Sequence, residues 1–143
     1  MNSKPRQEDT CINLSYRKAA RVISQIYDRE LSACGIKCTQ FSILRAIHLL
    51  KRTTNAELQH HLALDQTTLT RGLKPLIRDG LIEVNPGTDR RQKLLTLTPA
   101  GEELHRRAQR QWLKAQQHVR ERLGQNVTEQ MIELNAALVA LRN

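Results

Sequence analysis

Two stretches of this chain gather side chains that can grip a polyanion. The first runs DQTTLTRGLKPLIR over residues 65–78. At helical spacing Leu69, Leu73, Leu76 and Ile77 share one face, while Gln66, Thr67, Thr70, Arg71, Lys74 and Arg78 occupy the opposite one. Arginine can fork to guanine, glutamine can pair with adenine, and threonine offers a hydroxyl and a methyl. Any solvated helix can carry such a face, so alone it decides little. The second stretch, NPGTDRRQKLLTLTP over 85–99, follows directly. It sets Asp89, Arg90 and Arg91 at the tip of an expected β-hairpin, with Lys93 opening the return strand. A reading helix followed at once by a basic tip is the layout of a groove-binding module.

Composition points the same way. The chain has 143 residues, suited to one domain, with 23 Lys+Arg against 14 Asp+Glu and a formal net charge of +9. Such a balance favours nucleic acid or an acidic membrane surface, although a basic protein without a polyanion partner has the same count. Aromatic residues make up only 3% of the chain, too few for a base-stacking single-strand platform. No apolar run approaches the ~18 residues of a membrane span. The opening MNSKPRQEDT has no apolar secretory core, so the expected location is the cytoplasm, with no membrane partner. No phosphate-cradling glycine loop, nucleophile elbow or acid–base pair occurs, so no enzyme is expected.

The elements that would position these groups read as follows. Residues 1–10 form a polar, flexible N-terminus. Residues 11–38 hold an N-terminal dimerisation helix to about 33, with Ile12, Tyr16, Ala19, Ala20, Ile23, Ile26, Tyr27 and Leu31 as its stripe, and the loop around Gly35. Residues 39–98 form the DNA-binding unit. There Thr39 is expected to cap a second helix, Thr54 and Glu57 form a capping box for a third, and Asp65 caps a fourth that runs to about 79. Within that helix Pro75 either kinks the chain or ends it early. Leu81, Ile82 and Val84 make one strand, residues 85–88 the turn, and 93–98 the second strand. Residues 99–143 hold two C-terminal dimerisation helices, one of ~37 Å after Pro99 and one starting at Thr128. The expected fold class is mainly α with a small β-hairpin wing, a winged helix-turn-helix. The terminal helices expose apolar stripes that the small central unit cannot cover, which favours a homodimer.

The segments CTQFSILRAI, DQTTLTRGLKPLIRDGLI and DRRQKLLTLTPAGEEL resemble the MarR family of regulators over about residues 11–142. That family's wing reads D-x-R followed by strand residues and L-T-x-x-G, filled here by Asp89, Arg90, Arg91, Leu97, Thr98 and Gly101. The resemblance implies a homodimer on a pseudo-palindromic double-stranded operator, with recognition helices in major grooves and wings at minor grooves. It also implies that Asp89 orients Arg91 through an ion pair. Many members respond to small aromatic or phenolic ligands, which makes a ligand-released repressor the leading expectation. The alternatives are a cysteine-based redox sensor and an architectural protein with little sequence preference.

Three cysteines, Cys11, Cys34 and Cys38, are the redox candidates. Cys34 and Cys38 can pair with each other or with Cys11 of a partner chain, or simply fill the core. In the organic-hydroperoxide regulators of this family the reactive cysteine would align with Asn13, so that mechanism does not carry over. His48, His60, His61, His105 and His118 are scattered, and neither HExxH nor CxxC occurs. No metal or other cofactor is therefore expected, and the histidines read as helix-surface residues or local capping partners.

Overall fold

The structure, a computed structural model, describes residues 10–89 and 91–142. The expectations for the N-terminal tail to residue 9 and for Arg90 lie outside the described residues. Six helices and three short strands follow one another: α1 (Ile12–Leu31), a 3-10 turn (Ser32–Cys34), α2 (Cys38–Leu50), β1 (Arg52–Thr53), α3 (Asn55–Leu62), α4 (Gln66–Arg78), β2 (Ile82–Pro86), β3 (Lys93–Leu97), α5 (Pro99–Leu123) and α6 (Gln125–Val139). This is a mainly helical winged helix-turn-helix.

The core lies under α2, where Phe41, Ile43, Leu44, Ala46 and Ile47 are buried against Leu58 of α3 and Leu69, Leu73 and Leu76 of α4. Ile82, Leu95 and Leu104 extend it beneath the sheet and α5. Gly72 is what lets α4 come so close to α2. A Cβ there would lie 2.6 Å from Ile43 Cδ1.

The capping box forms as expected: the Glu57 N–H donates to Thr54 Oγ1 and the Thr54 N–H to Glu57 Oε2, both at 3.2 Å. Two other helix starts differ from expectation. Helix α2 begins at Cys38 rather than after Thr39, because Asp28 of α1 accepts the Cys38 N–H at 2.7 Å and Gln40 accepts that of Lys37 at 3.0 Å. Helix α6 begins at Gln125, directly after Gly124. Thr128 sits one turn inside it, buried, with its hydroxyl donating to the Gly124 carbonyl at 2.7 Å.

Pro75 neither ends nor interrupts α4, which continues to Arg78 with Asp79 as C-cap. The sheet has a third strand that its two residues were too short to announce. β1 pairs antiparallel with β3, Arg52 opposite Thr96 and Thr53 opposite Leu95, giving the order β1-β3-β2. Strand β2 runs on to Pro86, opposite Lys93, so residues 85 and 86, expected in the turn, belong to the strand and the connection falls at 87–92.

Candidate nucleic-acid interface

Helix α4 is held at both ends. At its start the Asp65 carboxylate accepts the Thr68 N–H at 2.7 Å. That hydrogen bond from the helix's free N–H groups holds the Asp65 carboxyl below its usual pKa. The sign follows from the direction of the shift. The cap's contribution is fully present above the unfolded carboxyl value of about 3.9 and is lost as pH falls through the lower folded value. Asp65→Ala should therefore lower the melting temperature at neutral pH. The gap to the parent chain should close as the pH falls below the ordinary carboxylate range, measured as melting curves on both proteins.

The polar face of α4 stands out as expected: Gln66, Thr67, Thr70, Arg71, Lys74 and Arg78 are all exposed, while Leu69, Leu73 and Leu76 are buried. Ile77 is a correction. The helical spacing predicts it on the buried face, yet it is 40% exposed. The helix rotates it toward the hairpin, where with Val84 it lines a cleft of about 330 Å³ between α4 and the sheet, flanked by Lys74 and Lys93. The members of the polar face are not equivalent. The Arg78 Nε donates to Asp79 Oδ1 at 3.1 Å, so this guanidinium is already engaged. Among the described residues, Arg71, Lys74, Arg91 and Lys93 have no carboxylate within ion-pair distance.

The hairpin tip is closed by its own backbone. The Gly87 N–H donates to the Gln92 carbonyl at 2.7 Å, and the Gln92 N–H to the Asp89 carbonyl at 2.9 Å. Asp89 does not meet the Arg91 guanidinium as the resemblance implied. Its Oδ1 accepts the backbone N–H of Arg91 at 3.2 Å, an Asx-type turn. The carboxylate thus orders the chain that carries Arg91, and leaves the side chain free of it.

The base of the hairpin is locked to α5 through Thr98. Its hydroxyl donates to the Gly80 carbonyl at 2.6 Å and accepts the Gly101 N–H at 3.1 Å, while its own N–H donates to the Leu81 carbonyl at 3.1 Å. Gly101 packs so closely on that carbonyl that a Cβ would stand 2.0 Å from it. The Leu97-Thr98-x-x-Gly101 pattern is therefore a joint that fixes the hairpin's angle to α4 and α5.

All three cysteines are free thiols. Cys11 is exposed and accepts the Leu14 N–H at the start of α1, and Cys34 packs against the core. The Cys38 thiol donates to the Ser24 carbonyl at 3.9 Å, and its pKa is pushed up by burial and then by Asp28 beside it. A thiol held protonated is a poor nucleophile. The histidines, too, differ from expectation. His105 is only 3% exposed, a core residue rather than a surface one, and His48 and Glu102 lie against it.

Comparison with known proteins agrees with this geometry. The MarR family model matches residues 36–93, from α2 to the start of β3. The transcriptional regulator MosR of M. tuberculosis, in a crystal structure in complex with DNA, is 36% identical and superposes with a TM-score of 0.80, covering 94% of this chain and 100% of that one. The chain belongs to the MarR family. MarR of E. coli, as a cysteine-to-serine mutant complexed with operator DNA, shares the fold with a TM-score of 0.83 at 22% identity, covering 95% and 99% of the two chains. An uncharacterised HTH-type transcriptional regulator of Staphylococcus aureus is 38% identical over 91 residues, 63% of this chain and 60% of that protein. As a MarR-family member the chain is a transcriptional regulator, and no described helix is long and apolar enough to cross a membrane.

Proposed function

We propose that this MarR-family chain binds double-stranded DNA sequence-specifically as a homodimer, and acts as a repressor released by a small aromatic or phenolic ligand. The observation that carries the reading is the set of free cations on one side of the molecule. Arg71 and Lys74 stand on the exposed face of α4, with Arg91 and Lys93 on the adjoining hairpin. In this reading Gln66, Thr67, Thr70 and Arg71 meet base edges, Lys74, Arg78 and Lys93 meet phosphate, and Arg90 and Arg91 enter the minor groove beside it. MosR, bound to DNA in its crystal structure, supports the same use of the fold. The cleft at Ile77 and Val84 supports the ligand. At about 330 Å³ it has an apolar lining and two flanking ammonium groups, which suits an aromatic acid.

Selection of duplexes from a random pool, followed by footprinting, tests this function. One protected pseudo-palindromic site, with each base change costing about 1–3 kcal/mol, is the expected result. Uniform protection would favour the architectural alternative. Asp89→Ala should weaken binding to the selected duplex because it frees the Arg91 backbone, although removing a negative charge alone would tighten it. Affinity at fixed salt reads the sign.

The dimer rests on the terminal helices. Ile12, Leu14, Val22, Leu113, Ile132 and Leu134 are at least half exposed on α1, α5 and α6. Of these, Val22 lines a largely apolar groove of about 750 Å³ together with Ile23, Ile26, Val119 and Met131. At roughly 25 cal/mol per Å², leaving such surface in water is costly. Deleting residues 125–143 should convert a micromolar dimer to monomer or aggregate by light scattering. A truncated chain that remains a soluble dimer would move the interface elsewhere.

A further inference from the structure

Four rings stack in a column between α2 and α5. Trp112 lies 6.1 Å from Phe41, Phe41 lies 5.7 Å from His105 and nearly parallel to it, and His105 lies 4.0 Å from His48. The apolar end of this column is ordinary core packing. Its other end is not. His105 is 97% buried by its 3% exposure, and its Nε2 has no hydrogen-bond partner, the one such buried side-chain atom among the described residues. An imidazole nitrogen left this way has lost its water without gaining a partner, a cost that persists unless something fills the position. Beside it, His48 Nδ1 and Glu102 Oε2 lie 2.7 Å apart. One donor atom from each of the three residues falls within 4.8 Å of the other two. Glu102 and His105 stand three residues apart on α5, on one helix face, and His48 comes from the facing end of α2.

We propose that His48, Glu102 and His105 form a site for one divalent transition-metal ion of the zinc class at the α2–α5 junction. Two imidazoles and one carboxylate are a donor set that zinc takes at ~2.0–2.2 Å, which places the donors ~3.3 Å apart around a tetrahedral ion. The His48 and His105 rings now lie nearly parallel, 19° apart, so the partly exposed His48 turns out of the stack to aim its donor at the ion while the buried His105 stays in place. The fourth position faces an open cleft of about 480 Å³ whose lining also includes Gln109, and water fills it. Metal entry replaces the hydrogen bond between His48 and Glu102: the imidazole ligates through Nδ1 as the tautomer that carries its hydrogen on Nε2, and Glu102 ligates as the carboxylate. The guanidiniums nearest in sequence have other partners. Arg106 lines the cleft but pairs with Glu103 at 2.6 Å, Arg107 lies 3.9 Å from the same carboxylate, and Arg45 lies over the Trp112 ring at 4.9 Å. Phe41, stacked on His105 at 5.7 Å and nearly parallel to it, holds that ring in place, so this ligand is pre-oriented. The ion clamps the end of α2 to the first turns of α5, next to the Thr98–Gly101 joint that sets the hairpin.

The test uses the full-length, untagged chain, stripped with a chelator and dialysed. Cobalt(II), a spectroscopic stand-in for zinc, is titrated while visible absorbance is recorded. One equivalent per chain with the intense bands of a four-coordinate ion is the expected result. Altering residues that only orient a ligand costs 10–100-fold in affinity, so Glu102→Gln and His48→Gln, which remove ligands, should each cost at least about tenfold. Both residues are partly exposed, so their metal-free melting curves should match the parent. Excess zinc should raise the melting temperature of the parent by several degrees and leave the His48→Gln/Glu102→Gln double variant unmoved. Absence of stoichiometric cobalt binding would overturn the site. So would binding that all these variants retain, which would place the ion elsewhere, such as the adjacent His60 and His61 of α3.

Discussion

Gly101→Ala lowers the melting temperature by roughly 10 °C and loosens the hairpin, an expected result opposite in sign to helix propensity. At a helix position alanine is favoured over glycine by up to about 1 kcal/mol. Here the added methyl would stand 2.0 Å from the Leu81 carbonyl oxygen and 3.0 Å from its carbon. Both are backbone atoms, and they cannot rotate away. The Leu81 carbonyl also accepts the Thr98 N–H, and Thr98 in turn accepts the Gly101 N–H and donates to Gly80. Separating α5 from this carbonyl therefore strains three hydrogen bonds at once. Overpacking costs about 1–3 kcal/mol, and each weakened hydrogen bond adds about 0.5–1.5 kcal/mol. A total near 3 kcal/mol corresponds to roughly 6–12 °C for a chain of this size. The clash occurs at Cβ, so Gly101→Val should cost little more than Gly101→Ala. Gly72→Ala, which meets only the mobile Cδ1 of Ile43 at 2.6 Å, should be milder than either. Thermal melts of the three variants check this order, and a Gly101→Ala protein that melts at or above the parent would contradict it.

Periodicity and capping chemistry made the helices legible in the sequence. Thr54-x-x-Glu57, Asp65 and Thr98-Pro99 each open a helix where their residue types say they should. The starts that differ are those set by tertiary contact. Asp28 reaches across ten residues to cap α2, and no local pattern encodes that. Strand β1 has two residues, too few for a period-2 signal, and exists because β3 has a free edge. On α4 the apolar face was read correctly at Leu69, Leu73 and Leu76, and failed at Ile77. Beyond Leu76 the helix overhangs the core and the hairpin cleft takes its place. Asp89 was assigned to the right neighbour but the wrong atom, because a short carboxylate at a turn reaches a backbone N–H more readily than a mobile guanidinium. The His48–Glu102–His105 cluster escaped notice since two of its members lie 54 residues from their partner on α2 or beyond. Only the i, i+3 pair Glu102 and His105 hinted at it.

Arg71→Ala is expected to reduce discrimination between the selected duplex and a scrambled one more than any other single change on α4. Arg71 stands near the start of the helix on its exposed face, and no carboxylate among the described residues holds it. Arg78 begins from an engaged state beside Asp79, so its use in binding costs an existing ion pair. Gln66, Thr67 and Thr70 carry no charge and contribute less to affinity per contact. A good bidentate base contact is worth about 1–3 kcal/mol of discrimination. A lysine or arginine that meets only phosphate gives affinity without discrimination, and its loss lowers the salt slope by about one unit. The two roles therefore leave different signatures in one data set.

The most direct measurement titrates the parent chain and Arg71→Ala against the selected duplex and a scrambled duplex, at one salt concentration, by fluorescence anisotropy. If α4 reads bases, the ratio of the two affinities falls by roughly 5- to 150-fold in the variant, the equivalent of about 1–3 kcal/mol, while binding to the scrambled duplex changes little. If both affinities fall together, Arg71 is a phosphate anchor. If the parent chain itself does not distinguish the two duplexes, this face of the molecule does not read sequence.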